Sequence, residues 1–178
     1  DEPDLLLMDE PFSNIDPISK RNLLLEIDRI TKELEVAIVF VSHDTQDALM
    51  ISDKIGFMEE GQLLQIDTPE ALYKDPKSLS LAKFFGILNQ FDVQELLNFG
   101  IKDLPYNKSI GIIRAESLNL YTKGVQAVTI TDCKFFGANY LIKSLSEKGE
   151  KMHHMSKTKI EIGIIRYINP SMEDIIYF

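Results

Sequence analysis

The chain has 178 residues, of which 19 are Lys or Arg and 28 are Asp or Glu, giving a formal net charge of −9. With 44% hydrophobic and 26% charged residues its composition is globular, which excludes a wholly disordered or collagen-like chain and allows one full core or two small ones. The acidic balance argues against non-specific nucleic-acid binding, the single cysteine, Cys133, excludes an intrachain disulfide and fits a reducing compartment, and no apolar run approaches the ~18–20 residues that span a bilayer.

Asp1-Glu2-Pro3-Asp4 carries the wrong charge for the basic start of a signal peptide. With no initiating Met, the chain is expected to begin inside a longer protein. Leu5-Leu6-Leu7-Met8 is a continuous apolar run, the pattern of a strand buried on both faces of a parallel sheet. Leu23, Ile27, Ile30 and Leu34 recur at helical spacing, and Asp16-Pro17 supplies a cap and a first-turn proline. Val36 to Val41 is a second, β-branched strand, so the three elements predict a βαβ crossover. A helix capped by Asp44 or Thr45 follows. Ile55 to Met58 and Leu63 to Ile66 flank Glu59-Glu60-Gly61-Gln62 and predict a hairpin. Thr68-Pro69-Glu70 opens a helix reaching about Lys74, and Ser78 to Phe85 forms another, stopped near Gly86. Residues 87–109, with Asn89, Asn98, Gly100, Pro105 and Asn107, predict a linker. Beyond it strand patterns dominate at Ile110 to Arg114, Val125 to Thr131, Tyr140 to Leu145, Lys159 to Ile165 and Ile175 to Phe178. Short strands separated by turns predict a small β-barrel or sandwich.

Asp9 and Glu10 directly follow the first strand, and ligands of open α/β sheets bind at the carboxyl ends of strands. Two adjacent carboxylates there can divide the work, one holding Mg²⁺ and the other orienting a water for attack. Alone, the pair reads as a solvated acidic turn. His43 ends the second strand in Val41-Ser42-His43-Asp44. A parallel neighbour brings it to the same edge, where it can meet a phosphate oxygen or serve only as a loop histidine.

Taken together, Leu5 to Pro11, Ser13-Asn14-Ile15-Asp16 and Val41-Ser42-His43-Asp44 resemble, in order and spacing, the Walker B motif, D-loop and switch-histidine loop of the ATP-binding subunits of ABC transporters. Thr45-Gln46-Asp47-Ala48-Leu49, Ile55 to Gly61 and Thr68 to Tyr73 are similar to the import-type branch, which serves sugars, polyamines, ferric iron, sulfate or molybdate. Asp67 stands where that branch usually has Gly, implying an altered turn. Ile112 to Glu116, with Ala115 in place of Pro, and Val128 to Ile142 are similar to the family's OB-like accessory (TOBE) domain. The resemblance covers residues 1–86 and extends over 110–145. It implies the second half of a P-loop ATPase core over 1–86, a linker over 87–109 and a β-rich regulatory domain over 110–178. It further implies that Asp9 helps hold Mg²⁺, Glu10 is the catalytic base, His43 contacts the ATP γ-phosphate, and Ser13, Asn14 and Asp16 cross to a second ATPase subunit. The implied partners are that second copy, transmembrane permease subunits and, indirectly, a solute-binding protein, with no nucleic acid; the implied location is cytoplasmic, on the inner face of the membrane.

The phosphate-cradling pattern G-x-x-x-x-G-K-[ST] is absent, as is a Ser-Gly-Gly-Gln signature. Gly56 and Gly61 have the glycine spacing, but Gln62-Leu63 follows. The chain alone is therefore expected to be inactive, and a non-catalytic regulatory or dimerisation module derived from such an ATPase stands as the alternative. His153-His154 predicts a surface loop rather than a metal site, Phe84-Phe85 and Phe135-Phe136 predict core, Cys133 a buried apolar position, and Lys20-Arg21 a solvated helix start. Asn107-Lys108-Ser109 matches a glycosylation acceptor, with nothing to indicate secretion.

Overall fold

The structure is a computed structural model that describes residues 3–178, so Asp1 and Glu2 lie outside the described residues. The chain divides into two compact units, Asp1–Pro76 and Lys77–Phe178.

The first unit is α/β. Strand β1 (Leu5–Asp9) pairs in parallel with β2 (Ala37–Val41), Leu5 opposite Ala37 and Asp9 opposite Val41. The crossover is α1 (Pro17–Leu34). As predicted, Asp16 caps it by accepting from the backbone N of Ile18 (3.1 Å) and Ser19 (3.0 Å), and Pro17 sits in its first turn. The helix ends at Glu35, in the left-handed region at φ 55°. Helix α2 (Thr45–Ile51) is capped by Asp44, which accepts from Gln46 N at 2.9 Å. Strands β3 (Ile55–Glu59) and β4 (Gln62–Asp67) form the expected hairpin. Its two turn residues, Glu60 and Gly61, both take positive φ (49° and 77°), as the mirror-image turns that match strand twist demand. This disposes of Gly56 and Gly61 as a phosphate loop. Asp67 ends β4 and accepts from Thr68 N (2.9 Å), and Thr68 in turn caps α3 (Pro69–Lys74).

One expectation fails here. The Leu5 to Met8 run predicted a strand buried on both faces. Among the described residues β1 and β2 pair only with each other, and Leu5, Leu6 and Leu7 are 50%, 42% and 69% exposed. Only Leu24 of α1 is buried.

The second unit begins with α4 (Leu79–Phe84), capped by Ser78. Residues 87–109, expected to be a linker, contain β5 (Leu88–Asp92) and α5 (Val93–Asn98). Helix α5 opens with a capping box: Asp92 accepts from Glu95 N (2.8 Å), and Glu95 accepts from Asp92 N (2.7 Å). Strand β6 (Ile110–Arg114) lies between β5 and β11 (Ile175–Tyr177) in an antiparallel three-stranded sheet. An antiparallel four-stranded sheet has the order β10-β7-β8-β9, with β7 (Gln126–Phe136), β8 (Asn139–Ser146), β9 (Lys151–Ser156) and β10 (Ile165–Ile168). The strand expected at Lys159 to Ile165 is displaced to β10, because Gly163 takes a left-handed turn (φ 87°) inside that run. Phe91, Leu96, Phe99, Ile113, Val128, Met152 and Ile168 form one core fed by both sheets.

His153 and His154 lie on β9 rather than in a surface loop. Phe135 and Phe136 are 72% and 57% exposed at the β7–β8 tip, not core, and Phe85 is buried while its neighbour Phe84 is exposed. Cys133 is half-buried rather than buried. Among the described residues no helix is long and apolar enough to cross a membrane.

Candidate functional site

Strand β1 ends at Asp9, and the chain turns sharply at Glu10. Glu10 adopts φ 43°, a left-handed conformation uncommon for a residue with a side chain. Local bonds hold it there. Glu10 N donates to Val41 O of the neighbouring strand (3.0 Å), and Glu10 O accepts from both Ser13 N (3.2 Å) and Ser13 Oγ (3.0 Å). Phe12, buried, packs edge-on against Phe40 of β2 with ring centroids 5.9 Å apart, fixing the loop that leaves the strand. The parallel register places the end of β2 beside the end of β1. There His43 Nδ1 lies 3.0 Å from Glu10 Oε1. A carboxylate only accepts, so Nδ1 carries the proton and donates. Both side chains are exposed, His43 at 72% and Glu10 at 47%. An ion pair or hydrogen bond so open to water adds little to stability.

The pair borders a cleft of about 230 Å³ that Ser13, Lys20, Ser42, Asp44 and Asp47 also line. Of the sequence-predicted residues, Glu10, Ser13 and His43 therefore come together. Asp9, Asn14 and Asp16 are exposed and do not line the cleft. Asp16 serves the α1 cap, and hydrogen bonds from Ser19, side chain first and then backbone, hold its carboxyl below the usual range. Among the described residues no group of three or more His, Cys, Asp or Glu is placed to hold a metal ion.

One member of the cleft was not expected. Lys20, predicted to be a solvated helix start, is only 17% exposed, and its Nζ donates to Asp44 Oδ2 (2.6 Å) and Asp47 Oδ2 (2.9 Å). Asp47 is buried at 4% exposure. The hydrogen bond to Asp44, followed by that to Asp47, raises the Lys20 pKa, and Lys20 correspondingly lowers that of Asp44. These partners lie 24 and 27 residues away, so no local pattern could reveal them. The charge complementarity of the Asp44-to-Asp47 turn was the only sequence signal available.

The other histidine pair has no comparable opening. His154 is fully buried, with Nε2 2.7 Å from Ser144 Oγ and Nδ1 2.7 Å from Leu118 O. The carbonyl can only accept, so Nδ1 bears the proton and Ser144 donates to Nε2. Burial pushes the His154 pKa from the ordinary 6.5 down to about 4. Every polar atom of that ring is satisfied within the core, the mark of a structural residue.

No protein-family model matches the chain. The sequence is similar to the spermidine/putrescine import ATP-binding protein PotA of Borreliella afzelii, with 36% identity over 78% of this chain and 44% of the relative. PotA of Clostridium novyi matches at 30% identity over 98% of this chain and 54% of the relative. The Fe(3+) ions import ATP-binding protein FbpC of Vibrio cholerae matches at 32% identity over 78% and 44%. The chain thus spans about half the length of the relatives it matches. A solved structure of the cytoplasmic molybdate-binding protein ModG overlaps 48% of this chain and 70% of its own, with a TM-score of 0.36 and 11% identity, too slight a likeness to bear on the fold.

Proposed function

From its homology to the import-type ABC ATP-binding proteins, we propose that this chain supplies the hydrolytic edge of an ATP-hydrolysing importer subunit. The observation that carries the proposal is the 3.0 Å contact between Glu10 and His43 at the ends of two parallel strands, beside a polar cleft. Phosphoryl transfer to water needs positioning and charge stabilisation more than covalent work by the protein. Glu10 is the base: one carboxylate oxygen engages His43, and the other is left to orient a water and receive its proton. His43 meets the γ-phosphate through Nε2. With Nδ1–H directed at Glu10, the ring donates from Nε2 only when it holds protons on both nitrogens.

Asp9 is the candidate for Mg²⁺. A single exposed carboxylate at a strand end fits an ion held mainly by nucleotide phosphates and water, and does not fit an all-protein cage. When bound, that ion supplies charge neutralisation at the phosphates. Ser13, Asn14 and Asp16 are exposed between β1 and α1, and on this reading they meet a second copy. On this reading the complete subunit works as a homodimer on transmembrane permease subunits, at the cytoplasmic face of the membrane, and a solute-binding protein delivers the cargo. The β-rich part over 110–178 is its accessory domain. The alternative, a non-catalytic dimerisation module, draws on the exposed apolar strands β1 and β2, which self-association would cover.

The test is ATP turnover by the product of the complete gene. Glu10→Gln is expected to lower turnover by roughly 10²–10⁴, the range assigned to a general base, while ATP binding persists. Turnover equal to that of the unsubstituted protein contradicts the assignment and favours the module.

A further inference from the structure

His43 has little to hold it. Its side chain is 72% exposed and meets Glu10. The residues on either side of it are, by contrast, fixed. Asp44 N donates to Ser42 Oγ (3.0 Å), Asp44 Oδ1 caps α2 by accepting from Gln46 N (2.9 Å), and Asp44 Oδ2 accepts from Lys20 Nζ (2.6 Å). Asp47, three residues further on and buried, accepts from the same ammonium (2.9 Å) and lies 3.5 Å from Ser42 Oγ. Two carboxylates thus share one cation. Without it, a buried carboxylate would lose its counter-charge and stand beside a like charge, which is costly in a poorly solvated site.

The cation comes from elsewhere in the fold. Lys20 lies on α1, four residues past the Asp16 cap. The segment Ser13 to Asp16 runs directly into that helix start. One side chain therefore ties the start of α1 to the turn that presents His43.

We propose that Lys20 is a positioning residue for His43, clamping the Ser42–Asp47 turn to the start of α1 so that the imidazole keeps Nδ1 on Glu10. Lys20 bonds Asp44 and Asp47 and acts on His43 through them. Its bearing on turnover rests on the roles proposed above for Glu10 and His43, but the clamp is a claim about this chain's own geometry. The two fail separately. Loss of turnover in Glu10→Gln says nothing about Lys20, and ring signals of His43 that ignore Lys20 leave the hydrolytic assignment standing.

The experiment is an imidazole ¹⁵N–¹H correlation spectrum of the ¹⁵N-labelled chain at neutral pH, comparing the unsubstituted protein with Lys20→Gln, Asp44→Asn and Lys20→Arg. Asp44→Asn removes the Asp44 half of the bridge, leaving Lys20 on Asp47 (2.9 Å), while an Asn still caps α2, so it carries the test should Lys20→Gln unfold the first unit. The expected result is loss of the single Nδ1–H tautomer of His43 in Lys20→Gln and Asp44→Asn, with its two ring nitrogen shifts moving toward each other. Lys20→Arg, which keeps the charge, retains the tautomer, and the His154 signals stay unchanged in all three. His43 signals identical to those of the unsubstituted chain in both bridge-breaking variants, or moved as far by Lys20→Arg as by Lys20→Gln, would overturn the proposal.

Discussion

In Lys77–Phe178 the side chains of Phe91, Leu96, Ile113, Val128, Met152 and Ile168 arrive from two sheets and a helix and close on one another. In Asp1–Pro76 the side chains of Leu5, Leu7, Val39 and Val41 stand 50–69% exposed on two strands that pair only with each other. The two histidines repeat the contrast. His154 is enclosed and neutral, its two nitrogens bonded to Ser144 and Leu118. His43 is open to water, and its Nδ1 meets a carboxylate. The second unit has the enclosed core that makes a fold cooperative, whereas the first presents titratable groups around a cleft on a thin apolar support.

Substitutions that probe this contrast differ in size. Phe91→Ala empties a site with 2% exposure that stacks edge-on against Phe99 (5.0 Å), and is expected to cost about 3–5 kcal/mol. Urea unfolding followed by the amide signals of residues 77–178 measures it, and a cost near zero would mean that core is loosely packed. Asn89→Ala removes a buried amide that donates to His153 O (2.8 Å) and accepts from His153 N (2.6 Å), with an expected cost of about 1–3 kcal/mol by the same assay.

His154 gives the pH dependence. Its folded pKa is depressed from 6.5 to about 4 by burial, so between those values the unfolded chain binds a proton that the folded chain refuses. The contribution is fully present above 6.5 and is lost as pH falls toward 4, with a slope of at most about 1.4 kcal/mol per pH unit. His154→Gln is expected to flatten that slope, and a profile equally steep without the imidazole would assign it elsewhere. The smallest effect belongs to the first unit. Leu7→Ala, at a side chain already 69% exposed, is expected to change stability by no more than about 0.5 kcal/mol. A cost comparable to that of Phe91→Ala would erase the contrast between the units.

Much of the fold was legible because its punctuation is local. Asp16-Pro17, Thr68-Pro69-Glu70 and Glu60-Gly61 each satisfy or terminate a backbone within a few residues, and each stands where expected. Strand β5 was hidden because Asn89 and Gln90 interrupt its apolar pattern; buried Asn89 is satisfied by His153, 64 residues away. The capping box of Asp92 and Glu95 was a readable sign of α5 inside the supposed linker. Strand β9 was hidden likewise, since a histidine enters a core only when distant atoms satisfy it. In the site, Glu10 and His43 follow from two strand ends and a parallel register. Lys20 does not, because its partners are brought to it by the fold. The burial expected of Leu5 to Met8 failed because burial depends on neighbours that a single run of residues does not specify.

Glu10 and His43 are proposed to act as one hydrolytic unit. This is tested most directly by ATP turnover of the complete protein in Glu10→Gln, His43→Ala and the double variant, with ATP binding measured alongside. Groups that serve one step are strongly non-additive. Each single substitution is expected to remove most of the turnover, and the double variant to be little worse than the more damaging single. Effects that multiply as for independent sites, or either single variant turning over ATP at the unsubstituted rate, would contradict it.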